Sequence, residues 1–284
     1  MKVFIAVDME GATGVVHHDQ LMPDGRGYAA AQRMLTADVK AVIHGVLEEA
    51  PQADIVVGEG HAIMRNVILD EIPPEARVVV GPARPDNKSL CQLEGLDASF
   101  DVLFLVGYHA MAGRELGLLA HTFVGSVVST FRLNGSPVGE VEVNAAIAGA
   151  MGVPLGLVVG NSDVADEMGC APDAVFVATK SVLGPTAAIC LVPQRTSVLL
   201  HEAATEAIRR TRSGALKPHV SRSPLSMSVT MHRREQAARA MTVPGVVRTD
   251  ELTIEVSGQD AATVFRVVWK ALCAALNEPP TWLQ

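Results

Sequence analysis

Short, unbroken apolar runs alternate along this chain with longer stretches in which apolar residues recur every three or four positions. That rhythm predicts βαβ units built on a parallel sheet. Val3–Val7 is the first run. Tyr28–Glu49 sets Met34, Ala37, Val39, Val42 and Val46 at helical spacing and stops before Pro51, so it reads as a crossover helix. Asp54–Gly58, Ala76–Gly81 and Asp101–Gly107 predict three further strands, each closing on glycine. Continuous rather than alternating apolar runs mean that both faces of these strands are covered.

Further on, Asn134-Gly135 between two β-rich runs predicts a tight hairpin. A helix from about Glu142 to Met151 and a strand at Leu155–Gly160 follow. After Pro193 the texture changes to a helix near Ser197–Arg212, a basic link to Pro224, then strand, helix, strand and a helix ending near Leu276. The expected class is α/β with a mostly parallel sheet, in two domains: residues 1–195 as the catalytic α/β domain and residues 196–284 as a smaller C-terminal α+β domain. No repeat or low-complexity tract interrupts this plan.

Composition narrows the function classes. With 284 residues and 49% hydrophobic content the chain can bury a full core, which argues against disorder. Lys and Arg number 23 against 31 Asp and Glu, and the net charge of −8 repels the phosphates that dominate nucleic-acid affinity. No uncharged apolar run reaches the roughly 18 residues of a membrane span, and the five apolar residues before Asp8 are too few for a signal sequence. The expectation is a cytoplasmic protein with neither nucleic-acid nor membrane partner. Cys91, Cys170, Cys190 and Cys273 are scattered without zinc-ligand or disulfide-framework spacing, and read as reduced core residues.

Ligands of open α/β sheets bind at the carboxyl ends of the strands, so polar residues there carry the candidate chemistry. Asp8 and Glu10 follow the first strand two positions apart, which lets both carboxylates face one side. The second strand delivers His61 in "VVGEGH", the fourth delivers His109 in "LVGYHA", and the hairpin return delivers Glu140 in "PVGE". His121 follows in "LLAHTF". Each residue alone fits a cap or a hydrogen-bonded core residue. Together, two histidines and three carboxylates at the ends of one sheet give the mixed ligation that suits zinc and related divalent ions, and five ligands suit a two-metal centre bridged by a carboxylate. His17 and His18 lie in a polar loop within reach of a substrate but read as solvated loop residues, His44 falls within the first helix, and His201, His219 and His232 lack partner carboxylates at ligand spacing, so none of the six receives a role.

These residues resemble the zinc-dependent D-aminopeptidases of bacterial dipeptide-transport operons. The matching segments are "DMEG" at Asp8–Gly11, Gly60-His61, "EGLD" at Glu94–Asp97, "GYHA" at Gly107–Ala110, His121 in "LAHTF", and "NGSPVGE" running to Asn144, in the family's order over the first two thirds of the chain. The resemblance implies a three-layer αβα scaffold with two zinc ions per subunit, and a ring-like homo-oligomer, commonly a decamer, that cleaves a small peptide or amide substrate. Carried over by position, Asp8 bridges the metals, Glu10 and His61 complete one site, His109 and Glu140 complete the other, and His121 is the additional catalytic histidine. Three places differ from the family pattern. "GEGH" at Gly58–His61 stands where relatives read "NDSH", "GNS" at Gly160–Ser162 where they read "GDD", and Gly184-Pro185 where Ser-Arg is common. The ligand set is untouched, while its surroundings change.

Other readings compete. A two-metal amidase acting on a non-peptide amide uses the same ligands. "VFIAVDMEGATG" also resembles the first motif of haloacid-dehalogenase-type phosphatases, with Asp8 as nucleophile and "GNSDVAD" as the magnesium motif, yet that reading leaves His61, His109, His121 and Glu140 without a task. A non-catalytic oligomeric metal- or peptide-binding protein leaves His121 idle.

Overall fold

The computed structural model describes residues 1–276. Seven strands form the large sheet: β1 (Lys2–Val7), β2 (Asp54–Glu59), β3 (Ala76–Val79), β4 (Val102–Tyr108), β7 (Leu155–Asn161), β8 (Val175–Gly184) and β9 (Ala187–Cys190). Their spatial order is β3-β2-β1-β4-β7-β8-β9, parallel throughout except for β9, which returns antiparallel along β8. The expected α/β class with a mostly parallel sheet is therefore the observed one. The β8–β9 hairpin had no counterpart in the sequence pattern, because the apolar stretch Val175–Ala178 is only half-buried and the positions after it mix buried polar residues with exposed ones.

The large sheet is covered on both sides. Val3, Ile5 and Val7 face the helices α1 (Tyr28–Glu49) and α3 (Pro193–Ser213), while Phe4 and Ala6 point the other way into a second core. That second core is closed by an antiparallel sheet of β5 (Val128–Leu133), β6 (Ser136–Pro137), β10 (Leu225–Met231), β11 (Val247–Arg248) and β12 (Thr253–Gly258), in the order β11-β12-β10-β5-β6. Between the sheets, α2 (Glu140–Ala150) lies on β4 and β7 and meets α5 (Ala261–Leu276), which rests on β10 and β12; α4 (Arg234–Ala240) packs beside α5. Asn134 and Gly135 join β5 to β6 with φ of 50° and 85°, the positive values that a two-residue hairpin turn demands.

Two expectations change. The boundary expected at residue 195 assigned α3 to the C-terminal unit, but α3 packs on α1: Thr205 donates a hydrogen bond to the Gly45 carbonyl, and Arg209 and Arg212 pair with Glu49. Conversely, β5 pairs with β10, so residues 128–150 build the second core. A boundary read along the chain misses such an exchange because strand pairing ignores sequence distance. Glu140 also belongs to no strand; it is the first residue of α2, which begins two positions earlier than the pattern suggested. Among the described residues no helix is long and apolar enough to cross a membrane, and all four cysteines are free.

Candidate active site

The order of the large sheet reverses between β1 and β4, and the crevice at their carboxyl ends is where such sheets bind ligands. The residues that follow these strands turn inward there. Gly11 passes so close to β4 that a Cβ on it would stand 1.9 Å from the Tyr108 carbonyl oxygen, and a Cβ on Gly107, whose φ is +86°, would meet the Asp8 carbonyl at 2.0 Å. This approach lets the Gly11 N–H donate to the Gly107 carbonyl at 2.7 Å. Asp8 and Glu10 are thereby carried over the sheet end toward His109.

Six side chains meet at this point, all of them named from the sequence. His61 Nδ1 lies 3.3 Å from Asp8 Oδ1 and 3.1 Å from Glu10 Oε2. His109 Nε2 lies 3.6 Å from both Asp8 Oδ2 and Glu140 Oε1. His121 Nε2 is 3.9 Å from Glu10 Oε1, and its ring stacks on that of His109 with centroids 4.2 Å apart. Two triads result, Asp8–Glu10–His61 and Asp8–His109–Glu140, sharing Asp8, with the donor atoms of each within 4.8 Å of one another; Glu10, His109 and His121 make a third such group.

The donors fit divalent cations on three counts. Each histidine has one ring nitrogen on a backbone carbonyl, His61 Nε2 on Leu21 at 2.8 Å, His109 Nδ1 on Ala110 at 3.0 Å and His121 Nδ1 on Leu119 at 2.9 Å. A carbonyl only accepts, so that nitrogen carries the hydrogen and the other nitrogen faces the carboxylates, the arrangement that orients metal-binding imidazoles. Secondly, buried His109 Nε2 has no hydrogen-bond partner, although two carboxylate oxygens stand 3.6 Å away. Ligands about 2.1 Å from a tetrahedral zinc stand about 3.4 Å from each other, the spacing found here. Thirdly, Asp8, Glu10 and Glu140 are all buried, and three carboxylates in a dry site need cations beside them.

The electrostatics agree. Burial pushes the Asp8 carboxyl up, but the neighbouring His109 and His61 imidazoles outweigh it and hold it well below its ordinary value. Burial lowers both imidazoles, yet the carboxylates raise His61 well above its ordinary value and His109 to about 10. Glu140 is pushed up to about 8 by burial and by the negative charge of Asp8. The cluster attracts positive charge strongly enough to draw protons onto its histidines, and a divalent ion that replaces them releases those protons.

Residues without a functional signal in the sequence hold this cluster. Asp38 on α1 accepts from the Thr13 N–H and hydroxyl at 2.8 Å each, Thr179 donates to the Gly11 carbonyl at 2.7 Å, and the buried Lys180 ammonium donates to the Ala12 carbonyl. Glu59, the carboxylate of the divergent "GEGH" segment, points away from the centre and accepts from the backbone N–H groups of Asn66 and Val67, tying down the loop after His61. Gln92 reaches Asp8 and Glu140 through its amide. Its partners Asp8, Glu140, Tyr108 and Asn144 all lie in recognisable motifs, whereas Gln92 does not. The other histidines stand apart from the cluster: His201 pairs with Glu48, His219 and His232 bond to backbone carbonyls, and His17 caps a short 3₁₀ turn. His18 is the exception, since it lines the cleft described next. Asp163 accepts from the Leu118 N–H and Asp166 pairs with Arg114, so the phosphatase reading loses the acidic residues it requires near Asp8.

Two cavities flank the cluster. A cleft of about 700 Å³ is lined by Glu10, His61, His121, His18, Arg114, Glu115 and the Pro185-Thr186 turn of the β8–β9 hairpin. On the other side a pocket of about 300 Å³ runs from Asp8, His61 and Glu140 to Phe123, Trp269 and Cys273. A buried histidine–carboxylate cluster at the mouth of such a cleft has the form that metal-dependent hydrolases use. A family model described as D-aminopeptidase matches residues 1–270, and the chain belongs to that family, peptidase M55. It is 27% identical over 270 residues to the D-aminopeptidase of Bacillus subtilis (strain 168), covering 94% of this chain and 95% of the relative. Among solved structures it is similar to the Zn-dependent D-aminopeptidase DppA from Bacillus subtilis, described as a self-compartmentalizing protease, with a TM-score of 0.90, 25% identity, and coverage of 98% of this chain and 99% of that one.

Proposed function

We propose that this chain is a two-zinc aminopeptidase that cleaves the N-terminal bond of short peptides containing D-amino acids. The observation that carries the reading is the pair of buried triads sharing Asp8. Asp8, Glu10 and His61 would hold one ion, and Asp8, His109 and Glu140 the other. Zinc at such a site lowers the pKa of water to near neutrality and polarises a carbonyl. The protein supplies the rest. Asp8 fixes the spacing of the two halves, while the carbonyls of Leu21 and Ala110 hold His61 and His109 in one tautomer. His121 faces the cleft with its Nε2 free to carry a proton, and burial together with the neighbouring His109 pushes its pKa down, which favours the neutral ring. A neutral imidazole can take a proton during attack and hand it to the departing amine. Arg114 and Glu115 set opposite charges along the cleft, complementary to the carboxylate and ammonium ends of a short peptide.

Assembly belongs to the same reading. Leu183, Ile189 and Val192 stand exposed on and beside the β8–β9 hairpin, an apolar edge suited to contact with another copy, and we infer a ring-like homo-oligomer, a decamer, with the clefts facing inward. The test joins metal quantification to a hydrolysis screen of D- and L-aminoacyl peptides and simple amides. Two zinc ions per chain with preference for D-peptides is the expected result. Two ions with cleavage of simple amides alone would move the assignment to an amidase, and turnover without metal would overturn the centre.

A further inference from the structure

Gln92 sits behind the metal cluster, fully buried, and its amide makes every hydrogen bond available to it. Its Nε2 donates to Asp8 Oδ2 at 3.2 Å and to Glu140 Oε2 at 2.5 Å. Its Oε1 accepts from the Tyr108 hydroxyl at 2.9 Å and from Asn144 Nδ2 at 2.6 Å. Asn144 Nδ2 also donates to the Tyr108 hydroxyl at 3.0 Å, closing a ring of three side chains. The orientation of the amide is forced. Turned over, it would aim an acceptor at two carboxylates and donors at two donors.

The placement is built into the backbone on both sides. A Cβ at position 60 would stand 2.6 Å from Gln92 Cγ, and one at position 58 would stand 2.8 Å from the Gln92 carbonyl oxygen. The two glycines of the divergent "GEGH" segment thus leave the space through which residue 92 reaches the cluster. The two oxygens it grips belong to different elements: Asp8 Oδ2 follows β1, and Glu140 Oε2 opens α2. The opposite oxygen of Glu140 is held by the Phe123 N–H at 2.6 Å, and that of Asp8 by the Met9 N–H at 2.8 Å. With both outer contacts in place, neither carboxylate can rotate away from His109.

We propose that Gln92 is a positioning residue for the Asp8–His109–Glu140 half of the centre, clamping the shared carboxylate and Glu140 in register through one amide. Of the Asp8–Glu10–His61 half, Gln92 hydrogen-bonds Asp8 alone. The inference rests on the two-ion reading of the site, and it adds an asymmetry: losing the amide weakens one metal position and spares the other.

Zinc titration of the metal-stripped full-length protein by calorimetry tests this. Wild type is expected to bind two equivalents; fewer than two would overturn the two-ion reading, and this inference with it. Gln92→Met keeps the length of the side chain and removes the N–H donor. It should bind one equivalent within about threefold of wild type and the other about 10- to 100-fold more weakly, the usual scale for loss of a group that orients a ligand. Gln92→Leu, which removes both ends of the amide, should show the same one-sided loss, and the melting temperatures of the metal-stripped variants separate that loss from general destabilisation. Unchanged affinity for both equivalents, or equal weakening of both in Gln92→Met and Gln92→Leu, would make Gln92 a packing residue and overturn the proposal.

Discussion

The two triads share Asp8 but are held by opposite means. Around Glu10 the support is main-chain: the backbone from Gly11 to Thr13 is fastened by the Gly107 carbonyl, Thr179, Lys180 and Asp38, so the carboxylate inherits its position from the parallel sheet. Around Glu140 the support is side-chain and composite. The glutamate arrives on α2 after a hairpin of the second sheet, and its oxygens are fixed by the Gln92 amide and the Phe123 N–H. A ligand held by its backbone tolerates side-chain change nearby, whereas a ligand brought in on a separate element depends on the packing between two sheets.

The largest effect should come from the residue common to both halves. Asp8→Ala is expected to lose both ions and all detectable peptidase activity, read by metal analysis and a D-aminoacyl peptide assay; an active variant with two zinc ions would dissolve the comparison altogether. Next, Glu10→Gln and Glu140→Gln should each retain about one equivalent of zinc while losing most activity, and crystals of the two variants soaked in zinc should show opposite positions filled. His121→Ala should keep both equivalents and lower kcat by roughly a hundredfold or more, the scale of general acid–base assistance. If it loses metal instead, His121 is a ligand, and the division into two halves becomes three.

The smallest effect concerns the support of the first half. Burial raises the Asp38 carboxyl to about 6, against the hydrogen bonds from Thr13 and the charge of Lys180. The folded protein therefore binds this proton more tightly than the unfolded chain. Its contribution is complete below about pH 4 and is lost as the pH rises through about 6, a change on the order of 3 kcal/mol. Urea unfolding across that window should show the descent in wild type and a flatter profile in Asp38→Asn; parallel profiles would mean that Asp38 titrates alike in both states.

Much of the first half was legible in the sequence, and the reason is geometric. A strand that runs continuously apolar and ends on Asp8 and Glu10 declares both its place in a parallel sheet and the end at which ligands gather. His61 and His109 follow the same rule. Glu140 was found as a residue but misplaced as an element, because the hairpin signal of Asn134-Gly135 gives no notice that β5 pairs with β10, some hundred residues later. Gln92, Asp38 and Lys180 were invisible, since a buried polar side chain is defined by partners far along the chain. The role of α3 was hidden likewise: its helical pattern was plain, but its choice of α1 over the C-terminal unit is a matter of packing.

The β8–β9 hairpin brings the outside of the molecule very near to its chemistry. Its Pro185 carbonyl accepts the Leu119 N–H at 3.1 Å, and the Leu119 carbonyl in turn orients the ring of His121 at 2.9 Å. Two hydrogen bonds in series therefore separate an exposed apolar edge from the imidazole over the cleft. Whatever settles on that edge leans on a short mechanical linkage, and the His121 ring is its far end.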